Sequence, residues 1–409
     1  MVKVSYQQLL EARKSRGLEI AKTNHITKNG KGWLVPSQTN GTHYIVQLSD
    51  NGDEPTCDCP DNKYRRMKCK HIFAVELTVT REIDEQGTIT ETKTAKVTYT
   101  QDWTAYDLAQ TQQKELFMQL LRDVTNTIEQ PEYTFGRPKL PLSDMLFLSA
   151  LKVFTTFSLR RFLADAEVAK ERGYISKVPA YASVGHYVEN PDATPIIKDL
   201  ITLTSLALQT VETDFTIDSS GFGTSRFVKW YDKKYGKEKD YRTWVKAHLV
   251  RGVKTNIVTA VELTMTNEAD TKFLPELVVQ TAKNFNVKEV SGDKAYSSRA
   301  NMELINELGA VPYIPFRKNA TGRSKGSSIW KKMYHYFEFK HEEFLEHYHK
   351  RSNAETTFHM IKSKFGDSVR SKTETAQINE VLLKVLCHNI CVVIKEMFEL
   401  GIEPKFFLV

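Results

Sequence analysis

Cysteine is scarce in this chain, with five among 409 residues. That excludes a disulfide-stapled scaffold. A signal peptide is also lacking, since Met1 to Gly17 is polar and charged, so a reducing, cytoplasmic compartment is expected. Long apolar runs are missing too. The most apolar late stretch, Val381 to Phe398, is broken by Lys384, His388, Asn389 and Lys395. It reads as an amphipathic or buried helix, and no membrane span or membrane partner is expected. No internal repeat and no long low-complexity tract is present. Charge of one sign is not in great excess either, and +7 over the whole length is only a weak lean towards nucleic acid.

What is there is ordinary globular material, 41% hydrophobic and 11% aromatic, long enough for about two to four units. Residues 20–80 form the first. Trp33-Leu34-Val35 and the alternating Tyr44-Ile45-Val46-Gln47-Leu48 predict short strands, separated by turns such as Lys28-Asn29-Gly30-Lys31-Gly32. Residues 81–135 read as linker and helix: Arg81 to Tyr99, rich in Thr, Glu and Lys, is a linker or exposed hairpin, and a helix follows over about Ala105 to Asn126. Residues 136–210 are helical. Gly136-Arg137-Pro138-Lys139 is their basic entry, and Ser143 is the expected N-cap of the first helix.

From 211 to 405 the pattern becomes α/β. Strands are expected at Phe215 to Asp218, Val245 to Val250, Asn256 to Thr264, Val287 to Val290 and Val311 to Pro315. Helices over Lys272 to Asn284 and Arg299 to Leu308 separate the later ones, and a long helix over Phe344 to Phe365 follows. That order implies a sheet of mixed pairing. The aromatic run Tyr334-His335-Tyr336-Phe337 reads as a half-buried strand.

Three of the five cysteines fall into a pattern. Cys57-Asp58-Cys59 and Cys69-Lys70-His71 form C-x-C and C-x-H pairs across a polar, basic gap. Three thiolates and one imidazole suit tetrahedral Zn²⁺, and four protein ligands close the shell, so the site is structural. This spacing resembles the SWIM zinc finger, in which two strands carry C-x-C and a helix start carries C-x-H. The resemblance allows either DNA or protein as the finger's partner. Cys387 and Cys391 lie on the apolar late stretch and read as reduced core cysteines.

The second constellation is acidic and basic. Tyr348, Arg351, Glu355 and Lys362 have the spacing Y-x2-R-x3-E-x6-K, which on one helix brings all four within about 60°. Asp218 and Asp293 each stand near the end of an expected strand. Phosphodiester cleavage by in-line displacement benefits from two metals about 3.5–4 Å apart, and Mg²⁺ prefers a few carboxylate oxygens plus substrate phosphate. Arg351 and Lys362 can grip phosphates.

Together, Ile217-Asp218-Ser219, Gly292-Asp293-Lys294-Ala295-Tyr296 and the four-residue signature resemble the DDE insertion-sequence transposases with the YREK motif. The resemblance implies a ribonuclease-H-like fold and a metal triad of Asp218, Asp293 and Glu355 holding Mg²⁺ or Mn²⁺. It also implies Tyr348, Arg351 and Lys362 as phosphate-positioning residues. Its further implications are Mg²⁺-dependent cleavage at transposon ends, strand transfer into double-stranded target DNA, action as a homodimer, and association with the nucleoid. Arg317 and Lys318, in the basic turn after Pro312 to Phe316, and Arg137 and Lys139 are the expected DNA contacts. The interval between Asp293 and Glu355 is too short for the large β insertion that some relatives use on hairpin ends. Trp330 is either a packing residue or a stacking partner for an extruded base. Two other readings compete: a domesticated, non-catalytic DNA-binding regulator, and a ribonuclease-H-like nuclease that only hydrolyses.

Overall fold

The computed structural model describes residues 13–17, 19–21, 26–29, 32–37, 42–48, 55–65, 67–83, 89–93, 103–132, 135, 139–224, 244–265, 268–350 and 353–406. The chain divides into two compact units, residues 1–101 and 102–409.

In the first unit, β1 (Thr27–Asn29), β2 (Gly32–Pro36), β3 (His43–Gln47) and β4 (Thr56–Cys57) form an antiparallel sheet in that order. Alternation along β2 turns Trp33 and Val35 inward, as the period-2 pattern requires. There they share a core with Ile72, Ala74 and Val75 of α2 (Lys70–Thr78), which follows the short α1 (Pro60–Arg65). The segment that read as linker or hairpin contains a two-stranded antiparallel pair, β5 (Val79–Ile83) and β6 (Ile89–Lys93).

The second unit begins with two helices where one was expected. These are α3 (Trp103–Thr111) and α4 (Gln113–Thr125). Next come α5 (Leu142–Thr155), α6 (Leu159–Glu171), α7 (Tyr181–Val188) and α8 (Ala193–Ser205). Ser143 does not cap α5. Pro141 holds that position, and the Leu142 N–H donates instead to the Gln130 side-chain oxygen at 2.7 Å. A five-stranded sheet follows, made of β7 (Asp214–Gly223), β8 (Trp244–Gly252), β9 (Val258–Thr264), β10 (Glu289–Gly292) and β11 (Val311–Tyr313). Its spatial order is β11-β10-β7-β8-β9. The first three strands pair antiparallel as a meander, whereas β10 and β11 run parallel to β7. Parallel pairing needs crossovers, supplied by α9 (Leu274–Asn284) and α10 (Arg299–Glu307).

Four more helices close the unit: α11 (Ser328–Phe339), α12 (His341–His349), α13 (Asn353–Phe365) and α14 (Glu374–Glu399). The aromatic run at 334–337 is therefore helical and not a strand. Ser327 caps α11 by accepting from the Trp330 N–H at 3.2 Å, and Ile329, Trp330 and Met333 bury one helical stripe. The expected helix over 344–365 is likewise two helices, so Tyr348 and Glu355 stand on different ones.

Hydrophobic clusters cover both faces of the sheet. One joins Phe222, Val245, Ala247 and Leu249 to residues of α4–α8, α13 and α14. The other joins Phe215, Ile217, Val250 and Val290 to residues of α9–α12. The helices of 142–205 thus share a core with the sheet. Helix α14 is mostly buried, and its Asn389 side chain accepts from the Val258 N–H at 2.9 Å and donates to the Val258 carbonyl at 2.7 Å. No single helix among the described residues is long and apolar enough to cross a membrane.

Lys384, also on α14, donates to the carbonyls of Gly366 and Ser368, both at 2.8 Å. Burial pulls its pKa down to about 8. The folded state then binds fewer protons than the unfolded chain between pH 8 and the ordinary lysine value, so stability rises with pH there. Urea titrations at pH 8 and 9.5 are expected to show wild type gaining stability relative to Lys384→Met, by about 1–2 kcal/mol over that interval.

Candidate metal centres and active site

The strand end at β4 and the start of α2 bring the four soft donors together. One ligand atom from each of Cys57, Cys59, Cys69 and His71 lies within 4.8 Å of the others, and all four residues are buried. The imidazole presents Nδ1 to the Cys57 and Cys69 sulfurs at 3.9 and 3.8 Å. Surrounding hydrogen bonds fix the loop: Asn62 accepts from the Cys57 N–H at 2.8 Å, and its own N–H points at the Cys59 sulfur at 3.5 Å. Hydrogen bonding to Cys59 and Cys69, together with burial, pushes the Cys57 thiol far above its ordinary value. A bound cation reverses that logic, because a coordinating thiol is deprotonated. The donor set and its closeness fit zinc.

The acidic residues are set by strand register. Asp218 lies within β7, not at its end as the following Ser-Ser-Gly suggested, because pairing with β8 continues to Gly223 opposite Trp244. A Cβ at Gly221 would stand 3.2 Å from the Trp244 ring, a tight approach to a side chain that is itself 44% exposed. In the parallel pair, Gly292 of β10 stands opposite Ile217 of β7. Asp218 and Asp293 are the next residues along the two backbones, Asp293 just past the end of β10. Asp293 keeps an extended backbone there and accepts from the Ala295 N–H at 2.7 Å, which starts a short 3-10 turn, Lys294–Tyr296.

Gly292 makes this approach possible, as a Cβ there would stand 2.9 Å from the Ile217 side chain. Gly292→Ala is therefore expected to cost about 1–3 kcal/mol by overpacking and to shift Asp293. Denaturant melts and a cleavage assay together check this, since activity should fall further than the folded fraction.

Helix α13 covers the Asp218 face. Lys362 donates to the Ser220 hydroxyl at 2.6 Å, two residues beyond Asp218 on the same side of the strand. Burial lowers its pKa. The chain after α13 then joins the end of β7, with the Gly223 N–H donating to the Asp367 carbonyl at 3.0 Å. Helix and strand therefore run in the same direction. Stepping back from Lys362 by two turns, about 10.5 Å, leads to Glu355 on the same helical face. The corresponding step from Ser220 to Asp218 is about 6.6 Å. Glu355 thus stands on the helix that covers the Asp218 face, while its side chain lies outside the described residues.

A polar cluster next to Asp218 was not anticipated from the sequence. Asp270 forms an ion pair with Lys246, accepts from the Ser219 hydroxyl at 3.1 Å, and lies 3.7 Å from the buried His248 Nδ1. Burial lowers the His248 pKa, against the pull of Asp270. Tyr296 is 1% exposed. Burial raises its pKa, and the charges of Asp270, Asp218 and Asp293 add to the rise. In sequence Asp270 looks like a helix cap. Only the alternation of Lys246 and His248 on β8 hinted at a polar face.

The other expected residues are scattered. Tyr348, on α12, is half-buried against the second core. Its neighbour Lys350 bridges Asp214 and Glu289 at 2.7 and 2.8 Å, near the starts of β7 and β10. Arg351 and Arg137 lie outside the described residues. Arg317 directs its guanidinium to the carbonyls of Lys294 and Ala295, at 3.3 and 3.1 Å, and so braces the turn after Asp293. Lys318 and Lys139 are exposed. Trp330 is a packing residue, 5% exposed, with its indole N–H donating to the Thr321 carbonyl at 2.9 Å. Cys387 is buried against the Ala150 carbonyl, as expected of a core cysteine.

Two family comparisons match the chain. Residues 209–390 match the family model described as a transposase DDE domain. Residues 44–79 match the one described as a SWIM zinc finger.

Proposed function

We propose that this chain, which carries a transposase DDE domain and an N-terminal SWIM zinc finger, cleaves DNA at transposon ends and transfers the strand into target DNA. The observation that supports the reading is the parallel register setting Gly292, the residue before Asp293, opposite Ile217, the residue before Asp218. Two neighbouring carboxylates repel unless a cation or proton lies between them, and oxygen donors favour a hard divalent ion. The strand order and pairing agree with a ribonuclease-H-like sheet. In this assignment residues 20–80 are the zinc module, 81–135 linker and helix, 136–210 a DNA-contacting helical region, and 211–405 the catalytic domain.

Asp218, Asp293 and Glu355 would hold Mg²⁺ or Mn²⁺, and the metal's chemistry is to activate the attacking oxygen and stabilise the leaving one. The remaining work falls to the chain. Lys362, beside Ser220, offers a point charge to a phosphate next to Asp218. Arg351 is assigned the bidentate phosphate grip, and Tyr348 a positioning role. Arg317 keeps the turn after Asp293 fixed, which holds that carboxylate in place. Lys318, Arg137 and Lys139 are assigned to the DNA backbone. Cys57, Cys59, Cys69 and His71 hold one structural Zn²⁺. A homodimer is assigned because two ends must be joined in one complex, and a site on the nucleoid follows from the substrate.

Incubating the protein with a pre-cut duplex bearing a 3′-hydroxyl and a supercoiled plasmid tests the reaction type. Joined products are expected. Nicks without joining would favour a hydrolytic nuclease, and binding alone would favour a regulator.

A further inference from the structure

On the sheet face that carries Asp218, β7 runs on through Ser220 to Gly223 and Thr224. Beyond it opens a cavity of about 850 Å³. Its walls come from the α5–α6 connection and the segment after α13. They include Phe157, Arg161, Arg370 and Lys372, and no lining residue is acidic. The absence of carboxylate, thiol and imidazole there excludes a cation site among the described residues.

The walls are built, not loose. Arg370 donates across the cavity to the Thr156 carbonyl at 2.6 Å. Behind it, the buried Glu380 carboxylate accepts from the N–H groups of Arg370 and Ser371 and from the Ser371 hydroxyl at 2.7 Å. Arg161 and Lys372 are exposed, and Phe157 is 46% exposed at the mouth.

Several cations and one open aromatic ring suit a chain of phosphates carrying bases. Phosphates take the charges, and an unpaired base can stack on the ring. Position favours the same partner. From Asp218 to Thr224 the strand advances about 20 Å, or about six base steps at 3.4 Å each, with Lys362 standing between. A lipid surface would want more apolar area than Phe157 and Val369 provide.

We propose that this cleft seats a DNA strand leaving the Asp218 and Asp293 centre, its backbone on Arg161, Arg370 and Lys372 and an unpaired base on Phe157. The proposal rests on the nuclease reading of that centre. Arg370 also braces the fold, so the test uses the exposed residues. The full-length, zinc-loaded protein is titrated into a labelled duplex with a 3′ single-stranded tail across a salt series.

Removing two phosphate contacts to the single strand in the double variant Arg161→Gln/Lys372→Gln is expected to flatten the log affinity against log salt slope by about 1.4. Phe157→Ala is expected to keep the slope and weaken the tailed duplex by about tenfold, with a smaller effect on a blunt duplex. An unchanged slope in the double variant, with wild type steeply salt-dependent, overturns the cleft alone. Salt-independent binding by wild type overturns both the cleft and the DNA reading. A flattened slope in a protein that shows no metal-dependent cleavage supports the cleft and sinks the nuclease reading.

Discussion

Replacing Asp218 by alanine is expected to lower metal-dependent DNA cleavage by about three orders of magnitude or more, the scale of losing one member of a cooperating catalytic set. DNA affinity measured without divalent metal should change little. Asp218 lies in mid-strand, paired on one side with β8 and one residue past the end of the β10 pairing on the other, so the ladder survives the substitution. Relief of repulsion towards Asp293 should offset part of any packing loss. Asp218→Glu is the sharper control. It keeps the charge but moves the oxygens by one methylene, and a site that depends on fixed geometry loses most of its activity. Near-wild-type cleavage by Asp218→Ala would remove this residue from the reaction and return attention to Asp270, the nearest alternative carboxylate.

The second large effect is expected in the smaller unit. Its core is a short list of buried side chains around Trp33, Val35, Ile72 and Val75, less than a module of this size normally needs to stand alone. Structural zinc contributes on the order of 10–16 kcal/mol to small modules of this kind. Cys69→Ser, or chelation of the metal, should therefore unfold the module of residues 20–80 and leave the second unit folded. Amide hydrogen exchange checks this directly. Protection should vanish in β2, β3 and α2 while β7, β8 and α14 keep theirs. Retained protection in a zinc-free protein would show that the apolar core alone sustains the module.

The two candidate centres differed in how far sequence could carry them. The Cys57, Cys59, Cys69 and His71 cluster was legible because its chemistry is local. Two pairs of soft donors lie a few residues apart, and the elements holding them are short. The order and type of the five sheet strands were also legible, since apolar β-branched runs alternated with helical periodicity. Pairing was not. Nothing in Gly292-Asp293 tells that β10 lies parallel to β7 with Gly292 against Ile217, and the proposed alignment of the two aspartates rests on that register.

Elsewhere, local pattern misled. Ser219-Ser220-Gly221 looks like a turn, yet β8 pairs straight through it. Tyr334 to Phe337 has strand composition, but a serine cap and an i, i+1, i+4 buried stripe make it helical. One helix face for Tyr348, Arg351, Glu355 and Lys362 required an unbroken helix, whereas α12 ends at His349 and α13 begins at Asn353. Arg317 read as a DNA contact from composition, and its carbonyl partners depend on a fold that brings residue 317 to the turn after Asp293. Asp270 needed the tertiary structure as well, because its partners Lys246, His248 and Ser219 come from two other strands.

The central claim is that Asp218 and Asp293, side by side, hold a divalent metal, and Mn²⁺ binding followed by electron paramagnetic resonance tests it most directly. The zinc-loaded protein is titrated with Mn²⁺, and the free signal is compared for wild type and Asp293→Asn, a near-isosteric change that removes one charge. The account predicts Mn²⁺ uptake by wild type that weakens at least tenfold in the variant, with both proteins equally folded. Equal uptake by both, or none by either in the presence of DNA, would contradict it.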